Sequence, residues 1–483
     1  MKMKYAVLFL LLFLTSYASN AQQKWNLRTV VDYAMANNIA VKQSEVQARV
    51  SELIYKQSKL SRFPTLGFNS NAGLNSGNAQ DPVTFARVSE TFYPTQFQLQ
   101  SSADIFNFYS KRNTIEANKW ELEASRAQID KLKNDIALTA ANGYLQVLLA
   151  KEQENVTNVQ LKQTQAQLSN TRKLVDAGAL PELNASQLEA QLALDSGNYI
   201  SARGNVSQAI LLLKSYMNID AAAPFEVDTP PVEAIPVEPI SDLQPDYVYK
   251  LAITNQPLQK VNDFRIKAAE KSAAAAKGAM YPNLTGYAGL GSSYVYARKG
   301  FFPTSAGPLT PSGLVIETSP GVFQNVLAPS VITGTQKQFI TSPGFGTQFS
   351  DNFSQSLGVS LNVPIFNGGS LRTNYKRSQL NIVTQQLQKT QDDQNLKQDI
   401  YQAYNAATIA LEKFNASKKT VAINETTFNY ATKRFDVGML STFDLITTQN
   451  NLLRAKLEYT INQFDYVFKM KVLEFYKGQG LKL

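Results

Sequence analysis

The 483-residue chain has no cysteine and no histidine. The first absence excludes disulfides, thiol chemistry and a lipid-modified N-terminal cysteine. The second excludes Ser-His-Asp triads, Cys-His dyads and histidine-bearing zinc sites within the chain. The seven methionines are scattered, so no soft-metal relay is suggested. Beyond the first residues there is no apolar run of about 18 or more, which excludes a helical membrane span and leaves a closed β-barrel as the route into a bilayer. No carboxylates cluster on a strand or loop scaffold. Glu152 and Glu412 fall inside long helical patterns and read as structural. The chain is therefore expected not to be an enzyme and to carry no metal or cofactor. The net charge of +9 is mild, and its basic residues are dispersed along helices, which argues against nucleic acid as a partner.

What is present begins with a signal. Lys2 and Lys4 precede an apolar core, Ala6 to Leu14, followed by the small-x-small site Ser19-Asn20-Ala21. Residues 1–21 read as a secretory signal peptide, with an uncleaved anchor or a buried strand as the alternative.

Proline and glycine are then missing from long stretches. Ser370 to Val437 contains neither, and such a run can form one helix of roughly 100 Å at about 1.5 Å per residue. Just before it, Leu357, Val359, Leu361 and Val363 alternate with Gly358, Ser360 and Asn362. That is a strand with one apolar and one polar face. Pro364 then ends any sheet ladder because it has no N–H to donate. The same junction occurs earlier. Phe97, Leu99, Ser101, Ala103 and Ile105 alternate with Gln98, Gln100, Ser102 and Asp104, and Ile105-Phe106-Asn107 matches Ile365-Phe366-Asn367. No proline follows from Thr95 to Leu180, and Gly143 is the one glycine inside the helical pattern.

In chain order, residues 23–63 read as one helix. Residues 65–105 read as a hairpin of two amphipathic strands, with Gly77 to Phe92 as a polar loop. A long helix is expected over 109–176. Its coiled-coil seam would be Ile115, Leu122, Ile129 and Ile136, then Leu161, Leu168 and Val175, each set spaced by seven. Gly178 and Pro181 mark its end, and a helix returns over 183–217. Residues 218–246 form a proline-rich acidic linker, which composition assigns to an extended equatorial crossing segment outside the core. The pattern restarts with a helix over 247–281, a hairpin at 283–366 with a long loop at 297–350, and helices over 370–436 and 442–476. Tyr281-Pro282-Asn283-Leu284 matches Phe63-Pro64-Thr65-Leu66 at an offset of 218, and Tyr404, Glu412, Asp436, Gly438 and Leu440 match residues 260 positions earlier. The chain thus reads as two tandem structural repeats, 22–217 and 247–483. Paired strands of ~10 residues with opposite faces are the signature of a transmembrane barrel hairpin. A soluble hairpin on a sandwich shares that pattern. The signal peptide and the aromatics near the strand ends, Phe92, Tyr93, Phe106 and Phe108, favour the membrane.

Four segments together resemble the TolC-like outer-membrane efflux protein family: Trp25-Asn26-Leu27, Phe63-Pro64-x-Leu66, Val363-Pro364-Ile365-Phe366-Asn367-Gly368-Gly369, and Phe435-x-Val437-Gly438 followed by Asp444. The resemblance covers essentially the whole mature chain. It implies a mixed α and β membrane protein, a homotrimer in which each protomer gives four strands to a twelve-stranded transmembrane β-barrel, continuous with a long α-helical coiled-coil tunnel. Four strands cannot close alone, since the smallest such barrels have about eight. The implied function is a passive exit duct of a tripartite efflux or type I secretion system, in the outer membrane of a Gram-negative bacterium, with its tunnel in the periplasm. Implied partners are outer-membrane lipid, a periplasmic adaptor (membrane fusion) protein and, through it, an inner-membrane pump. The helix tips, Gly178, Ala179 and Leu180 with Val437, Gly438, Met439 and Ser441, resemble those that contact the adaptor.

The resemblance also places a periplasmic gate at Asp444, Leu440, Leu180, Asn184 and Thr447. Asp444 falls at an acid of a lumen-facing ring, and Thr447 where a second acid would be. Leu440 and Asn184 replace a basic residue and its acid partner. The expectation is an apolar closure by Leu180 and Leu440 with a single acidic ring. A simple helix cap at Asp444 is the alternative. For the whole chain the competing reading is a secreted trimeric coiled-coil adhesion protein, which would not carry a second barrel hairpin or repeat at 260 through its helices.

Overall fold

A computed structural model describes residues 24–80, 87–232, 235–297, 309–329 and 343–478. The expected signal peptide lies outside the described residues, as do parts of the expected long loop. The chain forms two compact units. One comprises Met1–Lys56, Thr114–Ala273 and Lys376–Leu483, the other Gln57–Asn113 and Ala274–Tyr375.

The second unit is built on a sheet. Its strands are β1 (Thr65–Ala72), β2 (Asn75–Gln80), β3 (Arg87–Phe106), β4 (Asn283–Ala297) and β7 (Ser354–Asn362), all antiparallel in the order β1-β3-β4-β7, with β2 beside the first half of β3. Register carries the alternation across every strand. Leu66 lies opposite Ser101, Ser101 opposite Ala288 and Ala288 opposite Leu357. Phe68, Leu99 and Leu290 form the next row on the same face. Residues directly opposite share a face. One face is therefore apolar, and the other presents Gln98, Gln100, Ser102, Thr285, Ser356 and Ser360. The apolar face is largely uncovered: Leu357 is 88 % exposed. β1 and β7 each leave one edge unpaired among the described residues.

Two sequence expectations fail here. Gly77 to Phe92 is not a polar loop: β2 and the start of β3 extend the hairpin through it, leaving only 81–86 outside the described residues. Small polar residues on both faces (Asn75, Ser76) hide the strand period from sequence. The loop between β4 and β7 is not featureless either. It contains the hairpin β5 (Leu309–Ser319) and β6 (Val322–Pro329) and the short helix α7 (Phe345–Asp351). The α7 rings Phe345 and Phe349 pack edge-on against Phe97, and Gln348 exchanges two 3.0 Å hydrogen bonds with the Val295 backbone.

The first unit is helical. The expected single N-terminal helix is two, α1 (Leu27–Asn37) and α2 (Ile39–Leu60). Asn38 departs from helical geometry at φ −59°, ψ 134°. Its side-chain amide donates to the carbonyl of Tyr216 (2.9 Å), near the end of α4 (Glu182–Met217). α5 (Pro245–Asn255) and α6 (Pro257–Gly278) break likewise at Gln256, whose amide donates to Phe475 (3.1 Å) and Tyr476 (3.2 Å) at the end of α9 (Thr442–Tyr476). Each break satisfies carbonyls that a helix end would otherwise leave orphaned. The long helices α3 (Ser110–Asp176) and α8 (Ser370–Asp436) are unbroken, at 67 residues each. At Gly143 of α3 an added Cβ would lie 3.1 Å from the Tyr216 ring, so glycine permits that close approach.

The linker is not outside the core. Val227, Val232 and Ile235 are buried with Val30, Tyr144, Leu213, Met217, Phe464 and Val467, and Leu243 with Val248, Ile400 and Met470. Trp25 and Val227 form a parallel bridge. The Tyr144 hydroxyl donates to the Asp228 carbonyl at 2.7 Å. Burial, then the Asp228 charge, pushes that phenol up to about 12. Single apolar residues between prolines carry no period, so composition alone does not reveal them.

Candidate functional site: the helical hairpin tips

α3 turns into α4, and α8 into α9, through the same backbone geometry. Gly178 (φ 73°) and Gly438 (φ 75°) are left-handed, which a side chain would strain. Gly178 donates to Val175 and Ala179 to Leu174, both at 2.8 Å, while Gly438 donates to Phe435 at 2.9 Å and Met439 to Arg434 at 2.8 Å. Both are Schellman turns, which satisfy the last helical carbonyls.

Between the tips lies a cleft of about 760 Å³. It brings Ala179, Leu180 and Asn184 of the first tip together with Gly438, Met439, Leu440 and Ser441 of the second. Four other residues singled out in the sequence, Gly178, Val437, Asp444 and Thr447, do not line it. Asp444 is exposed in the first turn of α9. The Ser441 hydroxyl donates to its carboxylate at 2.7 Å and accepts its backbone N–H at 3.1 Å. A carboxylate there also meets the positive end of the helix dipole. The Thr447 hydroxyl donates back to the Phe443 carbonyl at 2.8 Å.

The tips differ in what holds them. Behind the second, Phe428, Ala431, Leu445 and Leu452 form an apolar cluster on which Phe435 and Leu440 pack. Leu180 is not part of that cluster. At the first, Arg172 of α3 pairs with Glu182 (2.6 Å) and with Glu189 of α4. Those carboxylates, Glu189 foremost, hold the guanidinium above its usual range.

Further along α3 the expected seam is displaced. Leu161, Leu168 and Val175 are half-buried, whereas Thr157, Gln160, Thr164 and Thr171 are buried. Thr164 donates to Asp195 of α4 at 2.6 Å, Gln191 donates to the same carboxylate at 2.9 Å, and Gln449 of α9 donates to Thr164 at 2.9 Å. Asp195 is 1 % exposed and pairs with no cation among the described residues. Buried carboxylates need partners, and here neutral hydroxyl and amide groups supply them. Three threonines spaced by seven were the available signal, masked by the leucines beside them. Gln167 Oε1 and Thr442 Oγ1, both on residues lining the cleft, are buried without a hydrogen-bond partner. No group of metal-ligating side chains occurs among the described residues, and no described helix is long and apolar enough to cross a membrane.

The family model for "Outer membrane efflux protein" matches residues 30–218 and 248–466. The chain is 22 % identical to the outer membrane protein TolC of Escherichia coli (strain K12) over 442 residues, covering 86 % of this chain and 79 % of that one. It is 19 % identical to the outer membrane efflux protein BepC of Brucella suis over 434 residues, covering 90 % and 81 %. Among solved structures, CusC superposes with a TM-score of 0.72 at 14 % identity over 94 % of this chain and 92 % of that chain. The Campylobacter jejuni outer membrane channel CmeC does so with 0.71 at 16 % over 94 % and 86 %. The long helices, the amphipathic sheet and a family match on both sides of the linker converge: the chain belongs to the outer membrane efflux protein family, transport channels of the Gram-negative outer membrane.

Proposed function

We propose that three copies close into one conduit, each giving β1, β3, β4 and β7 to a twelve-stranded barrel. The observation that carries this is the sheet itself. Four main strands leave two edges unpaired and an apolar face bare. An open edge is untenable in hydrocarbon unless copies pair edge to edge, and a bare apolar face is untenable in water unless lipid covers it. The polar face then lines the lumen. The helices form a coiled-coil tunnel in the periplasm, and residues 22–217 and 247–483 act as two structural repeats joined by the linker 218–246. The matched breaks at Asn38 and Gln256 and the matched turns at Gly178 and Gly438 support that symmetry.

In this reading the chain is the passive exit duct of a tripartite efflux or type I secretion system. The tips, through Gly178, Ala179, Leu180, Val437, Gly438, Met439 and Ser441, receive a periplasmic adaptor that connects to an inner-membrane pump. Leu180 and Leu440, with Asn184 and Thr447 nearby, close the periplasmic end by apolar contact. Asp444 contributes a threefold ring favouring cations. The test is conductance across a planar lipid film. The wild-type trimer, heat-modifiable on gels, conducts with cation preference, and Asp444→Asn loses that preference. A variant of unchanged selectivity removes Asp444 from the pore and leaves it a helix cap. A preparation that stays monomeric and passes no ions refutes the conduit.

A further inference from the structure

All four main strands meet helices at one end of the sheet. The register sets Thr65 opposite Ser102, Phe106 opposite Leu284 and Asn283 opposite Asn362. The segments that leave this end, 57–64, 106–113, 274–282 and 363–375, contain Lys59, Arg62, Lys111, Arg112, Lys277 and Arg372 and no acidic residue. Asp104, near the end of β3, is taken by Lys111 at 2.7 Å. Contacts draw these segments together. Lys111 Nζ donates to the Ser61 carbonyl at 2.6 Å, and the Ser110 hydroxyl to the Ala275 carbonyl at 2.9 Å. Arg62, Arg112, Lys277 and Arg372 are exposed, with no carboxylate partner among the described residues. Aromatic side chains share this end. Phe106 packs on Phe108 and Tyr109, Phe108 stacks on Tyr281, and Phe366 is 87 % exposed. Passing outward from the sheet, the surface is apolar, then aromatic, then cationic.

That order matches a lipid leaflet read from hydrocarbon to phosphate, where aromatic rings settle at the interface and cations at the headgroups. Resting on the outer-membrane reading above, we propose that this end of the sheet binds the headgroups of anionic phospholipid, of the phosphatidylglycerol class, in the leaflet facing the helices. The four unpaired cations select these lipids by charge, and the bare apolar face with its aromatic border holds their chains. Four like charges gathered at one end of a sheet without a carboxylate partner are costly to keep in a folded protein unless an anionic surface faces them.

The test uses the full-length protein in detergent, offered equal amounts of phosphatidylglycerol and phosphatidylcholine, with bound lipid counted by native mass spectrometry. The wild type retains the anionic lipid in roughly fivefold excess or more. The variant R62Q/R112Q/K277Q/R372Q brings the ratio close to one, while R62K/R112K/R372K keeps it. Equal retention by the wild type, or an undiminished excess in the glutamine variant, overturns the proposal. Conductance of the same preparations separates the two readings. Protein that conducts but binds both lipids equally refutes only the headgroup site. Protein that neither inserts nor conducts refutes both.

Discussion

The two hairpin tips share a backbone turn and differ in what locks the helices behind it. Behind the α8–α9 turn an apolar cluster around Leu445 excludes water. Behind the α3–α4 turn the contacts are a surface ion-pair clamp at Arg172 and, deeper, hydroxyls and amides around Asp195. Apolar burial is non-directional and tolerates small sliding, whereas a carboxylate held by a hydroxyl and an amide is satisfied in one register. The first tip is thus specified by geometry and the second by contact area.

That contrast is open to attack from three sides, all read as hydrogen-exchange protection, which resolves local opening. Leu445→Ala should have the largest effect, about 3 kcal/mol, lost from amides over 436–452 while the first tip stays protected. Equal loss at both tips would show that they open together. Asp195→Ala should cost about 2 kcal/mol by stranding Thr164 and Gln191 in the interior. It should deprotect α3 and α4 together, and unchanged protection would mean that the polar layer has no structural weight. Arg172→Gln should have the smallest effect, because both of its pairs are solvent-exposed, and the loss should vanish in high salt. A larger, salt-insensitive loss would move Arg172 from the surface into the lock.

Much of this molecule was legible in its sequence where chemistry is punctuated. Proline and glycine bound the helices, so the expected 370–436 and 442–476 are the observed α8 and α9. Strict alternation in 97–105 and 357–363 fixed which strand face is apolar. Three things were hidden. Asn38 breaks its helix by bonding a distant helix end, a tertiary effect that local propensity does not register, whereas the break at Gln256 is also written locally in Pro257, which has no N–H and keeps the residue before it out of helical geometry. Val227 and Leu243 enter the core singly. The buried seam of α3 uses threonine and glutamine beside more apolar leucines, so a hydrophobic pattern selects the wrong column. At the tips, the glycines could be found from sequence. The asymmetry of their support could not, since it depends on which residue of α9 or α4 stands opposite.

The core that holds the linker also bears on how the chain is made. Val30 near the start packs in one cluster with Tyr144, Leu213, Val227 and, close to the end, Phe464 and Val467. This cluster cannot be completed until nearly the whole polypeptide has been delivered. Contacts so distant along the chain form slowly and leave sticky intermediates waiting. An exported chain with this wiring must cross the inner membrane unfolded and spend its first moments in need of an escort.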